Sequence, residues 1–384
     1  MRYLSATQLF NGRDFLPQGS VLVLNDHNGV VEVVDKSQIG ENPLEFYEGV
    51  ITPGFVNAHC HLELSHLKNT IPKHTGLPGF ARQIIIERNA MMSVNPEEAQ
   101  LQADLDMWNK GVVAVGDISN GPSSFTVKQN SSLYYHTFVE LIGLNPYNCQ
   151  TIFDKGLQLL DSLHAKGLSG SLSPHAPYST SLDLIREIAE YNSFKKNPIS
   201  IHNQESVEET RFFMGESSGF HDLFNFLQLD ISWFHPPHMS SLGFYSEVLD
   251  STPTLFVHNT FSSAEDIALA KGEHRYWCFC PGANLYIENT LPNYTLFDSL
   301  IDKICIGTDS LASNDTLDLL HECNLILRHS QVYRPEQLLR FITFNAAQAL
   351  GIENRFGQFT AGVNAGLNLI TIHPQEITFI KKLA

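Results

Sequence analysis

Three histidines and a glutamate fall within the fourteen residues Pro53–His66, PGFVNAHCHLELSH. His59 and His61 flank Cys60, and side chains two apart in an extended strand point to the same face, so both imidazoles can address one metal ion. An H-x-H pair alone is a weak sign, because two histidines so spaced are often only exposed or hydrogen-bonded. Further donors must come from elsewhere in the chain.

His202 in IHNQE and Asp309 in IGTDS supply a third imidazole and a carboxylate. A catalytic divalent metal takes a few N and O ligands and keeps a position open for water, whose pKa it lowers towards neutrality. Hydrolysis is the natural use. Glu205 lies three residues beyond His202, a spacing that brings its carboxyl near such a water and a substrate ring nitrogen, and it is the candidate general acid and base. His258, which closes the apolar run LFVH, is placed to hydrogen-bond the water or the oxygen newly formed on the attacked carbon. The candidate catalytic residues are thus Glu205 and His258, and the candidate metal ligands are His59, His61, His202 and Asp309.

These residues need elements that hold them together. Eight apolar, β-rich segments recur: GVITPGFVNAH, GVVAVGDIS, YYHTFVELIG, LSGSLSPHAP, NPISIHNQE, PTLFVHNT, RYWCFCPGAN and KICIGTDS. Stretches of helical periodicity lie between or after them, including DLIREIAEY and the amphipathic run from Asp309 to Leu320. Strands alternating with helices imply βαβ units and a parallel sheet, and eight units fit an α/β fold, a (β/α)8 TIM-type barrel, over 51–357. Such a barrel carries its site at the C-terminal strand ends. The polar residues fall there: His59 and His61 on strand one, Asp117 on two, Glu140 on three, His175 on four, His202 on five, His258 on six and Asp309 on eight. Ahead of the barrel, SVLVLNDHNGVVEVV reads as a hairpin turning at Asp26–Gly29, and GLNLITIHP is β-like at the other end. The two ends, 1–50 and 358–384, are expected to meet in a small β-sandwich domain.

With 384 residues, 43% of them hydrophobic and 17% charged, the chain can bury a large core. A formal net charge of -17 argues against nucleic-acid phosphate or an anionic membrane surface as partner and favours a small molecule. No signal-peptide pattern or long apolar run is visible, so a cytoplasmic location is expected. The six cysteines do not make a disulfide scaffold, and Cys278-Phe279-Cys280 reads as a pair of buried thiols. A homodimer is the commonest arrangement for a soluble enzyme.

In its ordered motifs, PGFVNAHCHLE, GDIS, SPHAPYS, IHNQE, VHNT, CPGANLYI, IGTDSLASND and NAAQALGI, the sequence resembles the amidohydrolase superfamily, and within it the mononuclear deaminase and chlorohydrolase branch. The resemblance spans nearly the whole chain. It implies one divalent metal on His59, His61, His202 and Asp309, zinc by preference although iron and manganese accept the same donors, with Glu205 and His258 moving protons. It also implies a catalytic part for Asp309, which takes the proton of the bound water. Two-metal relatives bridge their ions with a carboxylated lysine at the end of strand four; SLSPHAP has no lysine, and Glu140 is the residue that would have to bridge instead. His61-Leu62-Glu63 is formally the H-x-E of another deaminase fold, but its P-C-x-x-C partner is absent. Glu63 and His66 are then supports of the strand-one ligands or contacts at the pocket mouth.

The same resemblance suggests substrate contacts at His175, Glu87, Arg88 and Glu63, and stacking on a purine by Phe80, Phe212 or Phe213. SPHAPYS and GTDSLASN resemble deaminases of adenine-type nucleosides, and HLELSHL with GLNLI resembles the aminodeoxyfutalosine deaminases of menaquinone synthesis. Ala365-Gly366 stands where better-known branches carry Ala-Asp. The implied activity is hydrolytic loss of the 6-amino group of a nucleoside-like substrate, aminodeoxyfutalosine first. S-adenosylhomocysteine, methylthioadenosine, adenosine and guanine are alternatives, as is a triazine chlorohydrolase or amide hydrolase on the same site.

Overall fold

The computed structural model describes residues 1–90 and 95–384. Its strands are β1 (Arg2–Leu9), β2 (Ser20–Leu24), β3 (Val30–Asp35), β4 (Leu44–Pro53), β5 (Phe55–Cys60), β6 (Val112–Ser119), β7 (Tyr134–Leu141), β8 (Ser169–Pro174), β9 (Ile199–Asn203), β10 (Thr254–His258), β11 (Arg275–Phe279), β12 (Ile304–Ile306), β13 (Leu367–His373) and β14 (Glu376–Lys382). All eight apolar segments singled out in the sequence contribute a strand, β5 to β12. They form two parallel four-stranded sheets, ordered β5-β6-β7-β8 and β12-β11-β10-β9. A parallel bridge between Cys60 and Asp309 ties one pair of outer strands. The other pair is tied where the His202 amide donates to the His175 carbonyl at 2.9 Å. Both ties sit at C-terminal strand ends, among the candidate site residues.

Strands covered on both faces must be apolar almost throughout, and every residue of β6, β10 and β11 is buried. The helices between them show the one-sided pattern of surface helices. Cys149–Ala165 buries Phe153, Gly156, Leu160 and Leu163. Leu182–Lys195 starts at Ser181, whose hydroxyl caps the Leu184 amide, and buries Leu184, Ile185, Ile188 and Ala189. The run from Asp309 to Leu320 is helical only from Leu319, the first residue of Leu319–His329, with Asp318 as its N-cap. Asp309 has a left-handed φ of 56°, and Ser310, Ser313 and Asn314 spend their side chains on local turns, which competes with helix formation.

Both chain ends share one six-stranded sheet, ordered β14-β13-β4-β1-β2-β3. β13 lies antiparallel to β4, with Leu367 opposite Pro53. The hairpin turns where expected, with Asn25 Oδ1 accepting from the His27 and Gly29 amides at 2.9 Å each. Gly366 has φ 70°, and a Cβ there would lie 2.6 Å from Val113 Cγ1, so both backbone and space require glycine where Ala-Asp is usual. Cys278 and Cys280 are buried free thiols. Among the described residues no helix is long and apolar enough to cross a membrane.

One core histidine makes the fold pH-sensitive. His136 on β7 is buried, and its Nε2 lies 3.0 Å from Ser171 Oγ. That hydroxyl donates to the Pro198 carbonyl at 2.7 Å, so Nε2 carries the proton of a neutral ring. Burial lowers the His136 pKa to about 4. The unfolded chain, titrating near 6.5, therefore binds a proton that the folded chain refuses between these values. This contribution to stability is complete above pH 6.5 and is lost as pH falls through about 4, by roughly 3 kcal/mol. Urea unfolding at pH 7.5 and pH 4 should show a smaller loss of stability in His136→Gln than in the unaltered protein; equal losses would count against this assignment.

Candidate active site

At the C-terminal ends of β5, β9 and β12, four donors converge. His59 Nε2 and His61 Nε2 are 3.1 Å apart, His61 Nε2 and His202 Nε2 3.3 Å. Asp309 Oδ1 is 3.4 Å from His61 Nε2 and 3.9 Å from His59 Nε2. These distances fit a cation. Ligands bound at 2.0–2.1 Å with tetrahedral angles stand roughly 3.3 Å apart. The tautomer is also set, because His202 Nδ1 donates to the His175 carbonyl at 2.8 Å, leaving the Nε2 lone pair facing the cluster. Burial depresses His202 to about 3 and holds His59 and His61 well below the ordinary histidine range. Neutral imidazoles whose lone pairs converge repel one another unless a cation lies between them, so the residues fit a divalent metal.

Backbone and side-chain ties hold this geometry. The Thr308 and Asp309 amides both donate to the His59 carbonyl, at 3.0 and 3.1 Å, and Asn57 Nδ2 reaches Thr308 Oγ1 at 2.8 Å. Gly307 lets the two strand ends meet: a Cβ there would lie 2.7 Å from the His59 carbonyl oxygen and 2.9 Å from its nitrogen. Ser313 Oγ donates to Asp309 Oδ2 at 2.8 Å, which leaves Oδ1 to face the histidines.

Glu205 stands beside the cluster, its Oε1 3.6 Å from His258 Nε2. His258 Nδ1 donates to Asn284 Oδ1 at 2.8 Å, so His258 Nε2 is an acceptor. Burial, reinforced by the negative charge of Asp309, raises the Glu205 carboxyl well above its usual range. The shift favours the protonated form, the direction a proton donor needs. The turn carrying it passes through Gln204 at φ 47°, and buried Glu209 holds that turn by accepting from the Gln204 amide at 3.1 Å and from Ser241 Oγ.

A cavity of about 510 Å³ opens onto these groups and is lined by His61, His202, Glu205, His258 and Asp309. His175, Arg88 and Phe80 also line it. Burial lowers His175 to about 4, so its ring meets the cavity neutral. Glu87 and His66 are not among the lining residues, nor is Glu63, which is buried and ion-paired behind Arg88. Phe212 and Phe213 face away from the cavity: Phe212 stacks on Phe234 at 4.6 Å within an aromatic cluster. Asp117, read as a strand-end acid, is paired with buried Lys128 at 2.5 Å and accepts the Leu62 amide at 2.7 Å. It props the segment after His61 instead of entering the site.

The amidohydrolase family profile matches residues 50–383. The chain belongs to the amidohydrolase family. A curated relative, the adenosine deaminase of Helicobacter pylori, is 27% identical over 337 residues, 85% of this chain and 80% of that protein. The solved aminofutalosine deaminase of H. pylori in complex with methylthio-coformycin matches with a TM-score of 0.84 at 21% identity, covering 100% of both chains. An adenosine deaminase from Xanthomonas campestris with bound zinc gives a TM-score of 0.74 at 17% identity, covering 96% of this chain and 84% of that one. The fold is of TIM-barrel type, and the protein is a hydrolase of carbon–nitrogen bonds.

In this amidohydrolase several residues around the site are not among the candidates read from the sequence. Asn284 orients His258, Glu209 anchors the Glu205 turn, and Ser313 orients Asp309. Leu223, Phe224, Leu227 and Trp233 wall the outer cavity. Asn284 and Ser313 had a signal, as parts of CPGANLYI and IGTDSLASND. Glu209 and the cavity-wall residues had none.

Proposed function

We propose that the protein is a hydrolytic deaminase that removes the 6-amino group of an adenine-type nucleoside, aminodeoxyfutalosine first, with one zinc ion on His59, His61, His202 and Asp309. The observation that carries this reading is the buried Glu205 carboxyl, set in the cavity 3.6 Å from His258 and beside a cluster that can hold a metal and the water it activates. The adenosine and aminofutalosine deaminases among the relatives support the same reading. We place the catalytic unit at 51–357, with 1–50 and 358–384 as the smaller unit.

A divalent cation bound there supplies a water acidic enough to attack at neutral pH. Glu205 gives its proton to the ring nitrogen next to the amino carbon, which makes that carbon electrophilic. The water oxygen then bonds to the carbon, and its proton passes to Asp309, with His258 Nε2 as hydrogen-bond acceptor beside it. Asp309 passes that proton to the amino nitrogen, the C–N bond breaks and ammonia leaves, and the remaining hydroxyl proton returns to Glu205 as the 6-oxo group forms. The products are a 6-oxopurine and ammonia from one amine and one water. His175, neutral and on the cavity wall, can hydrogen-bond the base.

Ammonia release by the zinc-replete protein from aminodeoxyfutalosine, adenosine, S-adenosylhomocysteine, methylthioadenosine, guanine and cytosine tests this. The expected result is release from aminodeoxyfutalosine with a kcat/KM at least about tenfold above that of adenosine, the scale of about 1.4 kcal/mol in transition-state binding. Silence on the whole panel, with chloride released from a chlorotriazine, would replace deamination by dechlorination.

A further inference from the structure

Glu140, near the end of β7, is 5% exposed and lines the cavity. Its Oε2 accepts from Asn120 Nδ2 at 2.7 Å. The Asn120 amide is held 3.0 Å from Glu63 Oε2, and Glu63 is ion-paired with Arg88. Arg88, Glu63 and Asn120 therefore fix the Glu140 carboxylate through one oxygen. Among the described residues the other oxygen, Oε1, has no hydrogen-bond partner. His202 Nδ1 stands 3.6 Å from it but already spends its proton on the His175 carbonyl. An unpaired buried acceptor is costly, and here the cavity is where a ligand can supply the missing donor.

We infer that Glu140 is a substrate-binding residue whose Oε1 accepts a hydrogen bond from a sugar hydroxyl of the nucleoside. The inference rests on the nucleoside reading above. Glu140 and Glu205 line one cavity, so in a nucleoside whose ring nitrogen meets Glu205 the sugar is the part left to meet Glu140. On a nucleoside, hydroxyls are the donors found there. Charged or protonated, the carboxyl keeps an acceptor lone pair, so the contact does not depend on its titration. A second cation is the competing occupant, since donor atoms of Glu140, His175 and His202 lie within 4.8 Å of one another. His202 is already engaged at both nitrogens, Nδ1 with the His175 carbonyl and Nε2 in the four-donor cluster, and His175 Nδ1 is held by Ser179 Oγ at 2.6 Å. Only Glu140 and His175 Nε2 are left for a second ion, fewer than a cation site needs. The sugar reading therefore places Glu140 as a selector for hydroxylated substrates, with Glu63 and Arg88 as its support.

The test compares adenosine, 2′-deoxyadenosine and 3′-deoxyadenosine as substrates of the zinc-replete protein and of Glu140→Ala and Glu140→Met, with zinc counted per chain. In the unaltered protein, kcat/KM for adenosine should exceed that for one deoxynucleoside by about 30-fold, the loss expected when a buried acceptor is left unpaired. Glu140→Ala should shrink this ratio to within about threefold, mainly through KM, with one zinc per chain retained. Should the alanine variant not fold, Glu140→Met has nearly the same length and volume, carries no oxygen acceptor or N–H donor, and should shrink the ratio likewise. Equal treatment of the three nucleosides by the unaltered protein, an unchanged ratio in the variants, or loss of a second zinc equivalent would each overturn the inference. Absence of ammonia from every nucleoside in the unaltered protein is a different failure: it sinks the deaminase reading and this inference with it.

Discussion

Glu205→Gln is expected to keep its zinc and lose turnover by about 10³-fold, within the 10²–10⁴-fold that a positioned acid or base contributes. Gln has the shape of Glu and can hydrogen-bond, but it cannot give a proton to a ring nitrogen. None of the four donor atoms of the metal cluster belongs to residue 205, so zinc content should remain at one per chain. Because the group acts in the transition state, the fall should appear in kcat more than in KM. The pH profile adds a second check. Burial raises the Glu205 pKa, so kcat should decline on the alkaline side as the carboxyl loses its proton, and Glu205→Gln should lack that limb. Activity within threefold of normal would remove Glu205 from the chemistry, whereas loss of zinc would make it part of the metal site instead.

What could be read in the sequence was whatever a strand makes local. His59 and His61 share a strand face, and His175, His202, His258 and Asp309 each follow an apolar run, so the repeat that builds parallel strands also delivers their side chains to one end. Asp117 obeyed the same rule and yet is no site residue, because its partner Lys128 comes from the helix Phe125–Asn130, and no local pattern announces a buried ion pair. Arg88 and Glu87 differ by one step along the helix Leu77–Ala90, about 100° of rotation, and only Arg88 lines the cavity. Phe212 and Phe213 follow the strand that carries His202 and the turn that carries Glu205, but their rings close a cluster with Phe220, Phe224 and Phe234; of these rings Phe224, not Phe212, reaches the cavity. The fold was legible through repetition. The Glu209–Ser241 and Asn120–Glu140 contacts were not, because each joins segments that only the fold brings side by side.

Stripping the metal should abolish ammonia release altogether, to below about 1% of the replete rate, and one equivalent of zinc should restore it. The site itself supplies the argument. Without a cation, three neutral imidazoles direct lone pairs at one another across 3.1 and 3.3 Å, a repulsion that proton uptake cannot relieve at neutral pH, because burial holds His202 at about 3 and keeps His59 and His61 low as well. The apo protein should therefore be less stable as well as inactive. Binding that favours the folded state adds about 4 kcal/mol when free metal exceeds its Kd a thousandfold, which for a chain of this size is a rise in Tm of several degrees. Asp309→Ala gives the complementary case: it removes the carboxylate that Ser313 orients but leaves the imidazoles, so zinc should bind more weakly and added zinc should not restore the rate. Full activity in a chelated sample verified as metal-free would refute the metal site, whereas recovery of Asp309→Ala by excess zinc would confine Asp309 to holding the ion and leave the water's proton to His258.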